Sequence, residues 1–180
     1  MLRTFLQAFF LIGSIVVFAT DGRSQTIDAG TWEKFLGARK LYMGECSRCH
    51  GIDGPAPLIE AVSFGLGDGL EAEFGLLLET IQTGIGNYMP AWEGLLSYDQ
   101  QFWVLTYVLH LPADNVFRNK CASCHEDAAP RVPTIVPRGE ALDTYVGRLH
   151  VNRGTEVVRT WDKEEQIAVI RMLRTLDEER

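Results

Sequence analysis

The four cysteines of this sequence fall into two pairs of the same spacing, each followed at once by histidine: Cys46-Ser47-Arg48-Cys49-His50 and Cys121-Ala122-Ser123-Cys124-His125. Two thiols about one helical turn apart can form thioethers to the two vinyl groups of one porphyrin, while the adjacent imidazole faces its iron. A single Cys-x-x-Cys pair also fits a redox disulfide or half of a zinc site, and four cysteines in an exported chain fit a disulfide framework. Two complete motifs that use every cysteine point instead to two covalently attached c-type haems. Cys46, Cys49, Cys121 and Cys124 would hold them, with His50 and His125 as iron ligands.

The first 24 residues read as an export signal. Arg3 supplies a positive start, Phe5 to Phe18 a short apolar stretch, and Val17-Phe18-Ala19 a small-residue cleavage site, with a second after Ser24. An uncleaved anchor is the rival, but Gln7, Gly13 and Ser14 interrupt a stretch shorter than the about 20 apolar residues a span needs. The expected location is the periplasm, with no membrane span in the mature chain. Formal charge is −7 over 180 residues and unevenly spread. Between Gln25 and Leu111 four basic residues face eleven acidic ones, whereas the remainder is nearly balanced and rich in arginine. No basic patch with interleaved aromatics appears, which argues against a nucleic-acid partner.

The elements that must position the motifs are helical. Trp32 to Glu45 reads as a helix running into the first motif, with Phe35, Leu41 and Tyr42 on one face. A turn-rich loop, Gly51 to Leu58, cannot continue it. Glu71 to Gln82 is a second helix, ended by Gly84-Ile85-Gly86, and Asn87 to Trp92 is an irregular segment holding Met89. Ser97-x-x-Gln100 is a capping box that opens a third helix through Leu109, closed by Pro112. The second half repeats the plan in shorter form. Phe117 precedes Cys121 by four residues as Tyr42 precedes Cys46, and Asp162-x-x-Glu165 caps a closing helix through Leu176. The expected fold is all-α, two small helical haem domains in tandem at 25–112 and 113–180.

From Trp32 to Leu111 the order helix, Cys46-x-x-Cys49-His50-Gly51, proline loop, Met89-Pro90 and final aromatic-bearing helix resembles the class I cytochrome c family. The resemblance implies His50 and Met89 as axial ligands, and the Pro57 carbonyl as the hydrogen-bond partner of the other His50 nitrogen. It also implies that the first and last helices cross near Tyr42, Trp103 and Tyr107. A methionine is ordinarily core filler, but a Gly-rich, Pro-terminated loop suits a ligand better than a helix face does. Met43 and His110 read as structural.

The second copy departs from this pattern. Glu126 replaces the glycine after the motif and no Met-Pro loop follows. His150, after the helical stretch Glu140 to Leu149, is the candidate sixth ligand, with Met172, His110 or an open position as alternatives. Cys-x-x-Cys-His, then Arg-Leu-His, then a final helix bears a partial resemblance to haem domains of quinohaemoprotein amine dehydrogenases. Arg138, Arg148 and Arg153 could neutralise haem propionates or be ordinary solvated charges.

No Ser-His-Asp set, paired-carboxylate site, phosphate loop or His-Glu-x-x-His helix stands out. The sequence therefore reads as an electron-transfer protein rather than an enzyme in its own right. His/Met ligation would raise the potential of the first iron above that of a His/His second iron. The role would be a carrier, or the cytochrome subunit of a dehydrogenase or oxidase chain. The acidic first half favours a redox protein partner with a basic docking face. The alternative is a peroxidase or diatomic-gas sensor using an open position on the second haem.

Overall fold

The computed structural model describes residues 25–125, 131–132 and 162–178. The export signal, Glu126, the 140–149 helix, His150 and Arg138, Arg148 and Arg153 lie outside the described residues, as does the side chain of Cys124. The fold is all-α: α1 (Ala29–Leu41), α2 (Ser47–His50), α3 (Phe74–Thr83), α4 (Tyr98–Leu109), α5 (Leu111–Lys120), α6 (Ala122–His125) and α7 (Lys163–Glu178). One two-residue antiparallel pair, β1 (Gln25–Thr26) with β2 (Arg131–Val132), accompanies them. Among the described residues no helix is long and apolar enough to cross a membrane.

α1 starts earlier than the apolar pattern predicts, because the Asp28 carboxylate accepts the Thr31 amide at 3.0 Å and caps it. Trp32, Phe35, Ala38 and Tyr42 follow at three- and four-residue spacing and, with Thr31, are all buried. α4 opens on the expected capping box, with Ser97 and Gln100 bonded reciprocally. The two helices cross as expected. Tyr107 lies 5.4 Å from both Phe35 and Tyr42, and Lys34 sits over the Trp103 ring at 5.5 Å.

Pro112 does not end this architecture. It occupies the first turn of α5, where the missing N–H would have had no helical partner, and His110 is the one-residue joint between α4 and α5. Phe117 of α5 meets Trp32 edge-on at 5.7 Å. Val169, Met172, Leu173 and Leu176 of α7 join the same apolar cluster as Trp32, Phe35, Tyr42 and Tyr107. Packing is thus continuous across position 112, and Phe117, expected as the counterpart of Tyr42, shares a core with it. Met172 is fully buried there, as a packing residue. Asp162 caps α7 through the Glu164 amide at 2.8 Å, and Glu165 pairs with Lys120 instead of closing a capping box.

Asp114 lies at the centre of this packing. Its carboxylate is fully buried and is met by Arg39 at 2.5 Å, Arg118 Nε at 3.0 Å and the Tyr107 hydroxyl at 2.9 Å. One side chain therefore ties α1, α4 and α5 together. Burial works against the Arg118 charge, but Asp114, Tyr107 and Asp53 outweigh it and its pKa is raised.

Candidate haem-binding site

Between α1 and α2 the helix widens into a π turn, Tyr42–Cys46. The Ser47 amide reaches back to the Tyr42 carbonyl, which leaves the Met43 carbonyl without its usual donor. The Ser47 hydroxyl supplies one at 2.8 Å, and Arg48 donates to the Gly44 carbonyl at 3.2 Å. The extra residue lets Tyr42 stay in the core while Cys46, Cys49 and His50 are partly exposed beyond it. Both thiols are free. Burial, with Glu45 and Cys49 adding to it, pushes the Cys46 thiol up to about 11, so it stays protonated at neutral pH.

His50 is oriented by the loop that follows it, although not by the carbonyl expected. Its Nδ1 donates to the Val62 carbonyl at 3.0 Å, and its ring stacks on Phe64 at 4.5 Å. Pro57 is diverted. The Leu58 amide bonds the Cys49 carbonyl at 3.3 Å and the Ser63 hydroxyl accepts the Ala56 amide at 2.9 Å, folding the loop so that residue 62 faces the ring. A carbonyl can only accept, so Nδ1 carries the proton and Nε2 keeps its lone pair for a metal. Gly51 permits the sharp exit from α2, with φ 73°, and the buried Tyr42 hydroxyl donates to its carbonyl at 2.6 Å.

Met89 comes from a separate element, the loop after α3. Its amide and carbonyl both bond Ile85, at 3.2 and 2.9 Å, and Trp92 and Glu93 donate to the Ile81 and Gln82 carbonyls at 3.0 and 3.2 Å. The loop lies so close to Gly84 that an added Cβ would come within 2.4 Å of the Met89 carbonyl oxygen. In the sequence Gly84 stands out only as a helix breaker, yet it sets how near this loop can come.

An iron porphyrin suits the donor set: two free thiols on one helical segment, an imidazole in the metal-binding tautomer, and a methionine on a stiff loop. Large apolar side chains are exposed on the same two loops, namely Leu58, Ile59, Val62 and Leu66 after His50, and Ile85 and Tyr88 beside Met89. A flat apolar cofactor would account for such exposure. In the second motif Cys121 and Ala122 are partly buried against the core and His125 is exposed. His110 is half-buried at the α4–α5 joint, where burial lowers its pKa and keeps it neutral, in keeping with a structural role.

Residues 34–108 match the family model described as cytochrome c oxidase, cbb3-type, subunit III, a stretch shorter than half the chain. Neither a search of curated proteins nor one of solved structures returns a significant match. The match begins inside α1 and ends inside α4, so it takes in the first attachment motif, the Met89 loop and most of the helix crossing. Geometry and match agree in supporting a c-type cytochrome, whose domain implies a covalently bound c-type haem and single-electron transfer.

Proposed function

We propose that this chain is an exported, periplasmic dihaem cytochrome c that passes single electrons between redox partners, as a free carrier or as the cytochrome subunit of a dehydrogenase or oxidase chain. The observation that carries the proposal is the pair of Cys-x-x-Cys-His motifs, each beginning at or beside a short helix that leads out of the shared core. In this reading Cys46 and Cys49 hold the first haem between His50 and Met89. Cys121 and Cys124 hold the second, with His125 and, from sequence, His150 at its iron. The first site has the higher potential, because a thioether favours reduced iron more than a second imidazole does. Electrons therefore run from the second haem to the first. Eleven acidic residues between Gln25 and Leu111 favour a partner with a basic docking face.

Intact mass and carbon monoxide binding test this reading. The purified protein should carry two haem masses, and its fully reduced form should show no spectral change under carbon monoxide, because both irons are six-coordinate. One haem mass would overturn the dihaem reading. A carbonyl spectrum from one iron would move the function to a peroxidase or gas-binding protein.

A further inference from the structure

Three consecutive residues follow His50, and each is held by a different side chain. The Gly51 carbonyl accepts the Tyr42 hydroxyl at 2.6 Å, the Ile52 carbonyl accepts Asn115 Nδ2 at 2.7 Å, and Asp53 Oδ1 accepts Arg118 at 3.2 Å. The last two donors belong to α5, more than sixty positions along the chain. We infer that Asn115 and Arg118 are positioning residues for the first haem site, gripping the loop after His50 and thereby fixing the direction of the His50 imidazole.

The contacts form a directed series. Asp114 is buried and holds Arg118 by its Nε. The same guanidinium also donates to Asn115 Oδ1. Arginine can only donate, so the amide oxygen of Asn115 must face it, which turns Nδ2 toward Ile52. From Ile52 the constraint passes to the returning strand of the loop, because Gly65 lies against that residue. A Cβ on Gly65 would sit 2.3 Å from the Ile52 oxygen. The chain on the N-terminal side of Gly65 supplies Phe64, stacked on the His50 ring, and the Val62 carbonyl that accepts from Nδ1. A loosened Ile52 frees this strand to drift, and with it the two groups that orient the imidazole.

A hydrogen bond from Nδ1 to a carbonyl makes the imidazole a stronger donor to iron and favours the oxidised state. Releasing the loop should therefore raise the first potential and turn the ring. The inference rests on the proposed role of His50 as an iron ligand, and the experiment separates the two. Holoprotein with Asn115→Leu, of similar volume but with no donor, is compared with wild type by peptide mass mapping of the haem on Cys46 and Cys49, by redox titration and by the hyperfine-shifted haem methyl resonances. Arg118→Gln, at a partly exposed site, is the second variant should Asn115→Leu fail to fold. The expected result is a methyl pattern rearranged for the first haem and a reduction equilibrium constant raised severalfold. Arg118→Lys, which keeps the charge but cannot reach Asp114 and Asn115 together, should fall on the same side as Arg118→Gln. Folded variants with wild-type potential and methyl pattern would overturn the inference and leave the ligand assignment standing. Wild-type protein with no haem on Cys46 and Cys49 would overturn the ligand assignment itself, and the inference with it.

Discussion

Gly84→Ala should lower the potential of the first haem without disturbing the helical core. Gly84 has φ 69° and ψ −172°, a region in which a side chain costs about 1–3 kcal/mol. Its Cβ would also meet the Met89 oxygen at 2.4 Å, the Ala91 nitrogen at 2.7 Å and the Pro90 carbonyl carbon at 2.8 Å, all backbone atoms. Ordinary contact begins near 3.4 Å, so the Met89 carbonyl must retreat by about 1 Å. A loop under this strain relieves it by letting go of the sulfur, and does so first in the oxidised state, where the bond is weaker. Potential then falls by no more than the strain released. At 1.36 kcal/mol and 59 mV per tenfold for one electron, the 1–3 kcal/mol of backbone strain alone corresponds to a fall of up to roughly 40–130 mV, to which the Cβ contacts add. Spectroelectrochemical titration reads the fall, and the methionine-to-iron charge-transfer band reads the bond. Gly86→Ala is the control, since Gly86 also has positive φ but an added Cβ there meets nothing within 4 Å. An intact band and unchanged potential in folded Gly84→Ala would refute the reasoning, as would an equal fall in Gly86→Ala.

Met89→Ala should lower the first potential more than Gly84→Ala does, because no sulfur remains to rebind; an unchanged titration would remove Met89 from the ligand set. Burial raises the pKa of Tyr42 and of Tyr107, the second helped by Asp114, so both favour the folded state while protonated. That stability is complete below pH 10, the ordinary tyrosine value, and drains away as pH rises beyond it; tyrosinate absorbance should show these two residues titrating only with unfolding. Asp114→Ala leaves Arg39 and Arg118 without their buried counter-charge and should cost about 3 kcal/mol or more in urea denaturation, whereas a loss under 1 kcal/mol would mean that the cluster contributes little. Moderate salt should slow reduction by a basic redox partner, and salt-independent rates would count against electrostatic docking.

The local pieces of the fold are legible where a residue's own chemistry decides its conformation. Ser97 and Gln100 announce their capping box and Gly84 its helix end, whereas the crossing of α1 with α4 near Tyr42, Trp103 and Tyr107 comes from the family resemblance. Reading failed where the outcome depends on residues far apart. α4 stops at Leu109 as read, but nothing local shows that Leu111-Pro112 then opens α5, whose Leu111, Phe117 and Asp114 are buried. Val62 replaces Pro57 as the partner of His50 because of bonds at Cys49 and Ser63 that no local spacing reveals. The grip of Asn115 and Arg118 on residues 52 and 53 is hidden for the same reason.

The apolar cluster joining Trp32 to Val169, Met172 and Leu176 also makes the core depend on the end of the described chain. Its most distant partners are separated by more than 130 positions, so the part of the core that α7 covers closes only when the end of the described chain is present, and closure of such long loops is slow. Until α7 docks, the apolar faces of α1 and α5 that it covers stay open to water.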